Sequence, residues 1–281
     1  NAQTFFWLSA LSYPFLAIYN SGAALFRSMG NSKVSMFTSL LMNIVNISGN
    51  ALLIFVFHWG VAGAATASLV SRALGAVLML LLIRNHNNEI YIHHLLQFRL
   101  NLGMVKSILK IGVPGGIENS MFQIGKLLVQ GLIATLGTSA IAANAIANNV
   151  SALANVPGSA VGLGLVTVVG QCVGARDYDQ AMGYTKKLTG VTYVAMGALN
   201  ILIFCFCGPL VHLFHLTPEA AAMAVQVLRY FAIASMVIWP LAFATPNALR
   251  AAGDAKFTMT VSMLSMWIFR IGFSYLLVNV V

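Results

Sequence analysis

The chain has 281 residues, of which 59% are hydrophobic and only 7% charged, and its formal net charge is +9. A water-soluble domain carries about 25% charged residues. This composition excludes one, and with it the nucleic-acid partners that a charge of +9 would otherwise suggest. Runs of about 20 apolar residues recur instead, the length a helix needs to cross a bilayer.

Eight apolar stretches are long enough to span, at residues 5–28, 34–57, 61–83, 107–136, 140–172, 187–207, 222–249 and 257–280. The stretches at 107–136 and 140–172 exceed the roughly 20 residues required, so tilting, kinking or projection into water is expected of them. Pro14, Pro157 with Gly158, and the pair Pro240 and Pro246 interrupt spans and predict kinks. The loops alternate in charge. Arg27 and Lys33 mark the first, Arg84, Arg99, Lys106 and Lys110 the third, Arg176, Lys186 and Lys187 the fifth, Arg250 and Lys256 the seventh; the loops between them have no Lys or Arg. Cytoplasmic loops collect Lys and Arg, so the basic loops are expected inside and the net charge reports topology. Trp59 sits beside a neutral loop, a suitable interface anchor.

Residues 85–105 form a polar stretch with His93 and His94, read as a cytoplasmic linker between residues 1–84 and 106–281. Cys172, Cys205 and Cys207 lie in apolar stretches without metal-ligand spacing and are expected to pack. Asn1 opens in what reads as mid-helix, without the basic segment and cleavage site of a signal peptide, so a longer protein is expected.

An internal repeat is visible at an offset of 223 residues. Arg27-Ser-Met-Gly30-Asn-Ser-Lys33 aligns with Arg250-Ala-Ala-Gly253-Asp-Ala-Lys256, and downstream Met36 meets Met259, Ser39 meets Ser262 and Gly49 meets Gly272. Both copies join two spans through a basic loop, so they share one orientation and form parallel repeats, an architecture of secondary transporters. The predicted fold is therefore an all-α integral membrane protein of two pseudo-symmetric bundles. Completing both copies gives about twelve spans.

Glu118 is the one acidic residue inside a span, just after Pro114-Gly115-Gly116. A carboxylate there must be paired, protonated or facing water. Glu118, Phe122 and Lys126 fall on one slowly drifting helix face, with Gln123 beside them. Lys126 is a candidate partner for Glu118, although about 12 Å of helix rise separates them. Asn43, Asn46 and Asn50 stud the second span, the last two one turn apart. Their amides can coordinate a cation or hydrogen-bond between helices. Arg72, Arg229 and Arg270 lie within or near spans; snorkelling suits Arg229, while Arg72 and Arg270 have no evident partner. No metalloprotease motif, paired intramembrane aspartates or serine elbow occurs, so enzymatic activity is not expected.

Leu25-Phe-Arg-Ser-Met-Gly30, Ala248-Leu-Arg-Ala-Ala-Gly-Asp254, Gly60-Val-Ala-Gly-Ala-Ala65, Ile111-Gly-Val-Pro114 and Ile141-Ala-Ala-Asn144 leading through Val169-Gly-Gln171 to Gly174 together resemble the multidrug and toxic compound extrusion (MATE) family. The resemblance covers nearly the whole chain and places it at helices four to eleven of twelve. It implies two six-helix lobes in a V around a central cavity, and antiport of cationic or amphipathic compounds against protons or sodium ions. Glu118 matches the first glutamate of a family pattern whose second glutamate is replaced here by Gln123. Asn46, Asn50 and Ser68 match positions of a sodium or proton site in some prokaryotic relatives, where the second is often aspartate. The expected activity is thus cation-coupled export of organic cations or drugs from the cytoplasm, with Glu118, Gln123 and Lys126 as the second-lobe site and Asn46, Asn50 and Ser68 as the first-lobe cluster. A flippase for lipid-linked saccharides, sharing the two-lobe plan, is the alternative. No cofactor beyond the coupling ion, a monomer, and a bacterial inner (plasma) membrane location are expected.

Overall fold

A computed structural model describes residues 2–86, 88–92 and 101–280; Arg99, His93 and His94 of the expected linker lie outside the described residues. Among the described residues the chain is helical and has no strand. It divides into two compact units, residues 1–99 and 100–281.

The first unit holds three helices. They are α1 (Ala2–Ser28), α2 (Ser32–Ala51), which runs into a π-helical turn at Leu52–Val56, and α3 (Gly60–Ile83). Helices α1 and α3 pack through Ala23, Phe26, Met79 and Ile83, all buried. Gly22 lets them approach, because a Cβ there would stand 3.0 Å from that of Met79. Small residues serve this purpose in bilayers, where no hydrophobic drive separates helix contacts from lipid contacts.

The second unit begins with α4 (Leu102–Ala134), whose N-terminus is capped by the Asn101 side chain accepting from the amides of Gly103 and Met104. Then follow α5 (Thr138–Ala154), α6 (Val156–Gly174), α7 (Tyr178–His212) and α8 (Pro218–Trp239). A π-helical segment at Pro240–Ala244 leads to α9 (Thr245–Ala251), and α10 (Ala255–Ser265) passes through a second one at Met266–Gly272 into α11 (Phe273–Val280). The core lies where α5, α7 and α8 meet, around Ala147, Ala154, Ile203, Cys207, Ala224 and Leu228. Cys207 is buried there as a small apolar side chain, and all three cysteines are free.

The expected stretch 140–172 is broken into α5 and α6 at Asn155, which keeps helical backbone angles of −84° and −8°. Pro157 explains the break: it has no N–H for the carbonyl four residues back. Pro240 likewise opens the α8 ladder, and the Tyr193 hydroxyl donates to the Val237 carbonyl at 3.0 Å. Among the described residues six helices or helix runs, Ser32–Val56, Gly60–Ile83, Val156–Gly174, Tyr178–His212, Pro218–Ala251 and Ala255–Val278, are both long and apolar enough to cross a membrane. Helices α1 and α4 have the length but a more polar composition, and α5 is short on its own.

The repeated loop has the same geometry in both copies. Gly30 has a φ of 76° and Gly253 a φ of 95°. The amides of Gly30 and Asn31 donate to Arg27 and Phe26, as those of Gly253 and Asp254 donate to Arg250 and Leu249. This is a left-handed C-terminal cap in which glycine avoids a steric penalty of about 1–2 kcal/mol. Nothing lies within 4 Å of a Cβ built on Gly253. Gly253→Ala is therefore expected to lower stability by about 1–2 kcal/mol through backbone strain alone, read as a lower thermal midpoint in detergent.

Candidate functional site

In the first unit α2 and α3 share a directed chain of hydrogen bonds. The Ser68 hydroxyl donates to the Ala64 carbonyl at 2.9 Å, and that of Ser71 to the Ser68 carbonyl at 3.0 Å. Both hydroxyl oxygens then accept from Asn46 Nδ2, each at 3.3 Å. Asn46 Oδ1 in turn accepts from Asn50 Nδ2 at 3.0 Å. The backbone carbonyls fix the direction of every donor, so neither amide can flip without losing a bond. The chain ends on Asn50 Oδ1, which is buried and has no hydrogen-bond partner. A buried acceptor without a donor is costly, by about 1–3 kcal/mol, and is a natural ligand for a cation or a donor group. Asn46, Asn50 and Ser68 are thus brought together. Asn43 is not: it is exposed and donates to the Ser39 carbonyl of its own helix. Ser71, whose apolar-looking neighbourhood hid it from sequence reasoning, joins the cluster. Arg72, for which the sequence offers no partner, donates to the Ser12 hydroxyl across α1 and α3.

In the second unit Glu118 on α4 accepts from Arg250 Nη2 at 2.6 Å. The two side chains are 13% and 33% exposed, so the pair lies between a buried and a surface ion pair. Arg250 also donates from Nη1 to Asn247 Oδ1 at 3.1 Å, while its Nε is buried without a partner. Asn247 faces α6, where its amide sits 2.6 Å from the position a Cβ on Gly162 would take. Arg250 thus ties the Glu118 carboxylate of α4 to α9, and Asn247 packs α9 on α6.

Lys126 does not pair with Glu118, correcting the sequence expectation. Two helical turns of rise keep them apart, and the Lys126 ammonium instead lies 5.2 Å from the Phe122 ring centroid. Arg270 approaches the same ring, at 5.3 Å. Gln123 is exposed on the neighbouring part of α4. Arg250 and Asn247 are the functional candidates missed from sequence. A lone intramembrane carboxylate signals a cation partner, but Arg250 reads as part of a cytoplasmic turn. Among the described residues no group of three or more His, Cys, Asp or Glu side chains is gathered to hold a metal ion.

The MatE family model matches residues 114–276. An uncharacterized transporter of Bacillus subtilis, YisQ, is 29% identical over 92% of this chain and 58% of its own length. The probable multidrug resistance protein NorM of Thermotoga maritima is 25% identical over 96% of this chain and 58% of its own. Among solved structures, a MATE crystal structure in the bent conformation superposes with a TM-score of 0.88 at 19% identity, covering 98% of this chain and 61% of that one. An outward-facing MATE family transporter gives a TM-score of 0.86 at 20% identity, over 93% of this chain and 58% of that one. The chain thus spans a little over half the length of the relatives it matches.

Proposed function

The chain belongs to the MatE family, and on that premise we propose that it supplies the greater part of an antiporter that exports small organic cations or drugs from the cytoplasm in exchange for H⁺ or Na⁺. The observation that carries this reading is the Glu118–Arg250 pair. An antiporter needs a group whose partner changes between states. Glu118 has such a choice: its oxygens face an internal cation, and a proton, a metal ion or a cationic substrate competes with Arg250 for the same charge. Releasing Arg250 loosens α4 from α9, and the π-helical segment at Pro240–Ala244 beside α9 gives the helix a place to bend. Lys126 follows two turns along the same face of α4, with the exposed Gln123 on the neighbouring face.

In the first unit the free oxygen of Asn50, with Asn46 and Ser68 behind it, offers a neutral oxygen site for Na⁺. Asn50 has no proton to exchange near neutral pH, so this cluster favours Na⁺ over H⁺ if it takes part in coupling. A lipid-linked saccharide flippase is not favoured: its cavity should be ringed with cations, and of the few candidates Arg72 is engaged by Ser12, which leaves Lys126 and Arg270 at the Phe122 ring.

The deciding experiment is dye efflux from cells or vesicles containing the protein, with Na⁺ and pH gradients imposed separately. Efflux driven by one gradient and abolished when that gradient collapses is the expected result. Equal dye retention with and without the protein under both gradients rejects the proposal.

A further inference from the structure

Arg229 on α8 has no ion-pair partner among the described residues, and its guanidinium stands 5.9 Å from the centroid of the Phe204 ring on α7. Both side chains line a groove of about 820 Å³ between these two helices, together with Gly208, His212, Gln226 and Tyr230. No acidic residue lines it. Glu219, the one acid on the same helix, lies about 15 Å away along the axis, where it accepts from the Ser139 hydroxyl at 3.1 Å. Small residues make the room: nothing lies within 4 Å of a Cβ built on Gly208. Through Phe204 and Ile233 the groove continues into a narrower slot of about 160 Å³, lined wholly by apolar side chains.

Basic residues at the other ends of the same helices set the depth of this groove. Lys187 lies near the start of α7, and Arg250 at the end of the run that contains α8. At about 1.5 Å per residue, Gly208 lies about 30 Å from Lys187, and Arg229 about 30 Å from Arg250. That is the thickness of the hydrocarbon core of a bilayer. With Lys187 and Arg250 at one membrane face, Gly208 and Arg229 reach the other, at the level of the lipid phosphates. His212 and Gln226 lie about one turn beyond that level, and the slot around Ile201 and Met236 lies within the acyl layer. A cation at this level is costly unless an anion or water meets it. Snorkelling to water would satisfy the charge, but it leaves the apolar slot beneath unfilled. Arginine instead suits a phosphate, which it can hold through two parallel N–H donors.

We propose that the α7–α8 groove is a binding site for a phospholipid of the leaflet remote from the basic loops. Arg229, steadied by the Phe204 ring, donates to the phosphodiester. Gln226 and Tyr230 offer further donors to the headgroup, and one acyl chain descends past Ile233 into the slot. Charge and apolar surface follow one another along the groove in the order that they follow along a phospholipid. A lipid seated here joins α7 to α8 where the groove separates them. Nothing in this site depends on which compound is transported.

Native mass spectrometry of the full chain, purified in mild detergent, reads this site directly. The probes are dioleoyl phosphatidylglycerol and galactosyl dioleoylglycerol, which share their acyl chains and differ in the phosphate. The single-lipid adduct with the phospholipid is expected to be about tenfold tighter, the difference made by about one charge-assisted pair. Glycerophosphate, which has the phosphate without the chains, should not compete at the same concentration. The preference should vanish in Arg229→Gln, where the altered side chain is exposed. Phospholipid binding should also be lost in Ala222→Trp, which fills the wide part of the groove from an exposed position and leaves the charge in place. Equal binding of the two lipids by the unaltered protein overturns the proposal, whether or not the variants fold, and so does a full preference in either folded variant. Competition by glycerophosphate would assign the groove to a soluble anion instead. A protein that takes up no phospholipid, because another part of the chain or a second copy fills the groove, overturns it equally.

Discussion

Cells expressing the Glu118→Gln protein will accumulate dye as fast as cells without it, while the protein reaches the membrane in normal amounts. Glutamine has nearly the same volume and its oxygen still accepts from Arg250, so the helices have little reason to separate. What disappears is the charge over which Arg250 and an incoming cation compete. A hydrogen bond to a charged group is worth about 1.5–3 kcal/mol, a factor of about 10–100 in any equilibrium that depends on it. The complementary change, Arg250→Gln, should show up differently. It leaves a part-buried carboxylate unpaired, which costs about 3–5 kcal/mol when fully buried. The pair's partial exposure reduces this to about 1–2 kcal/mol. Thermal unfolding in detergent should therefore rank Arg250→Gln below Glu118→Gln, with the double variant regaining part of the loss. Undiminished efflux by Glu118→Gln would make the pair a structural brace and nothing more.

The largest effect on stability is expected at Gly158, near the start of α6. A Cβ placed there would stand 2.1 Å from Trp239 Cζ3 and 2.6 Å from Met196 Sδ. Neither neighbour yields easily. Met196 is fully buried, and the Trp239 ring stacks on Phe243 with centroids 4.8 Å apart. Overpacking a tight site costs about 1–3 kcal/mol per substitution, so Gly158→Ala should lower the thermal midpoint and Gly158→Leu should prevent recovery of folded protein. Trimming the obstruction tests the cause: Trp239→Ala combined with Gly158→Ala should be less destabilised than the two single changes imply, since contacting residues couple. Additive losses would place the strain elsewhere.

Much of the helical plan is written in the sequence because a bilayer allows so little else. Apolar length gives the spans, and an Arg-x-x-Gly-x-x-Lys pattern that appears twice gives two loops whose caps prove to share their backbone geometry. Interruptions were harder to place. The run through Asn155 keeps helical backbone angles across the junction, and Pro157 is the residue that betrays that it folds as two helices. The π-helical segment at Met266–Gly272 contains no proline at all. The candidate sites divide the same way. Asn46, Asn50 and Ser68 were legible because two lie one turn apart on one helix, whereas the partner of Glu118 lies 132 residues away in a turn motif with a role of its own. Lys126 was misassigned because it shares a face with Glu118, and sharing a face says nothing about separation along the axis.

The π-helical segment at Pro240–Ala244 has a consequence for how Arg250 is aimed. A wide turn of this kind slips one additional residue into the spiral, and everything beyond it is phase-shifted by roughly 100° relative to an unbroken helix. Residues 245–251 therefore point in directions that the stripe of apolar positions on α8 does not forecast. The guanidinium meets its carboxylate because the helix miscounts by one, and the bond between α4 and α9 is as much a product of that offset as of the two charges.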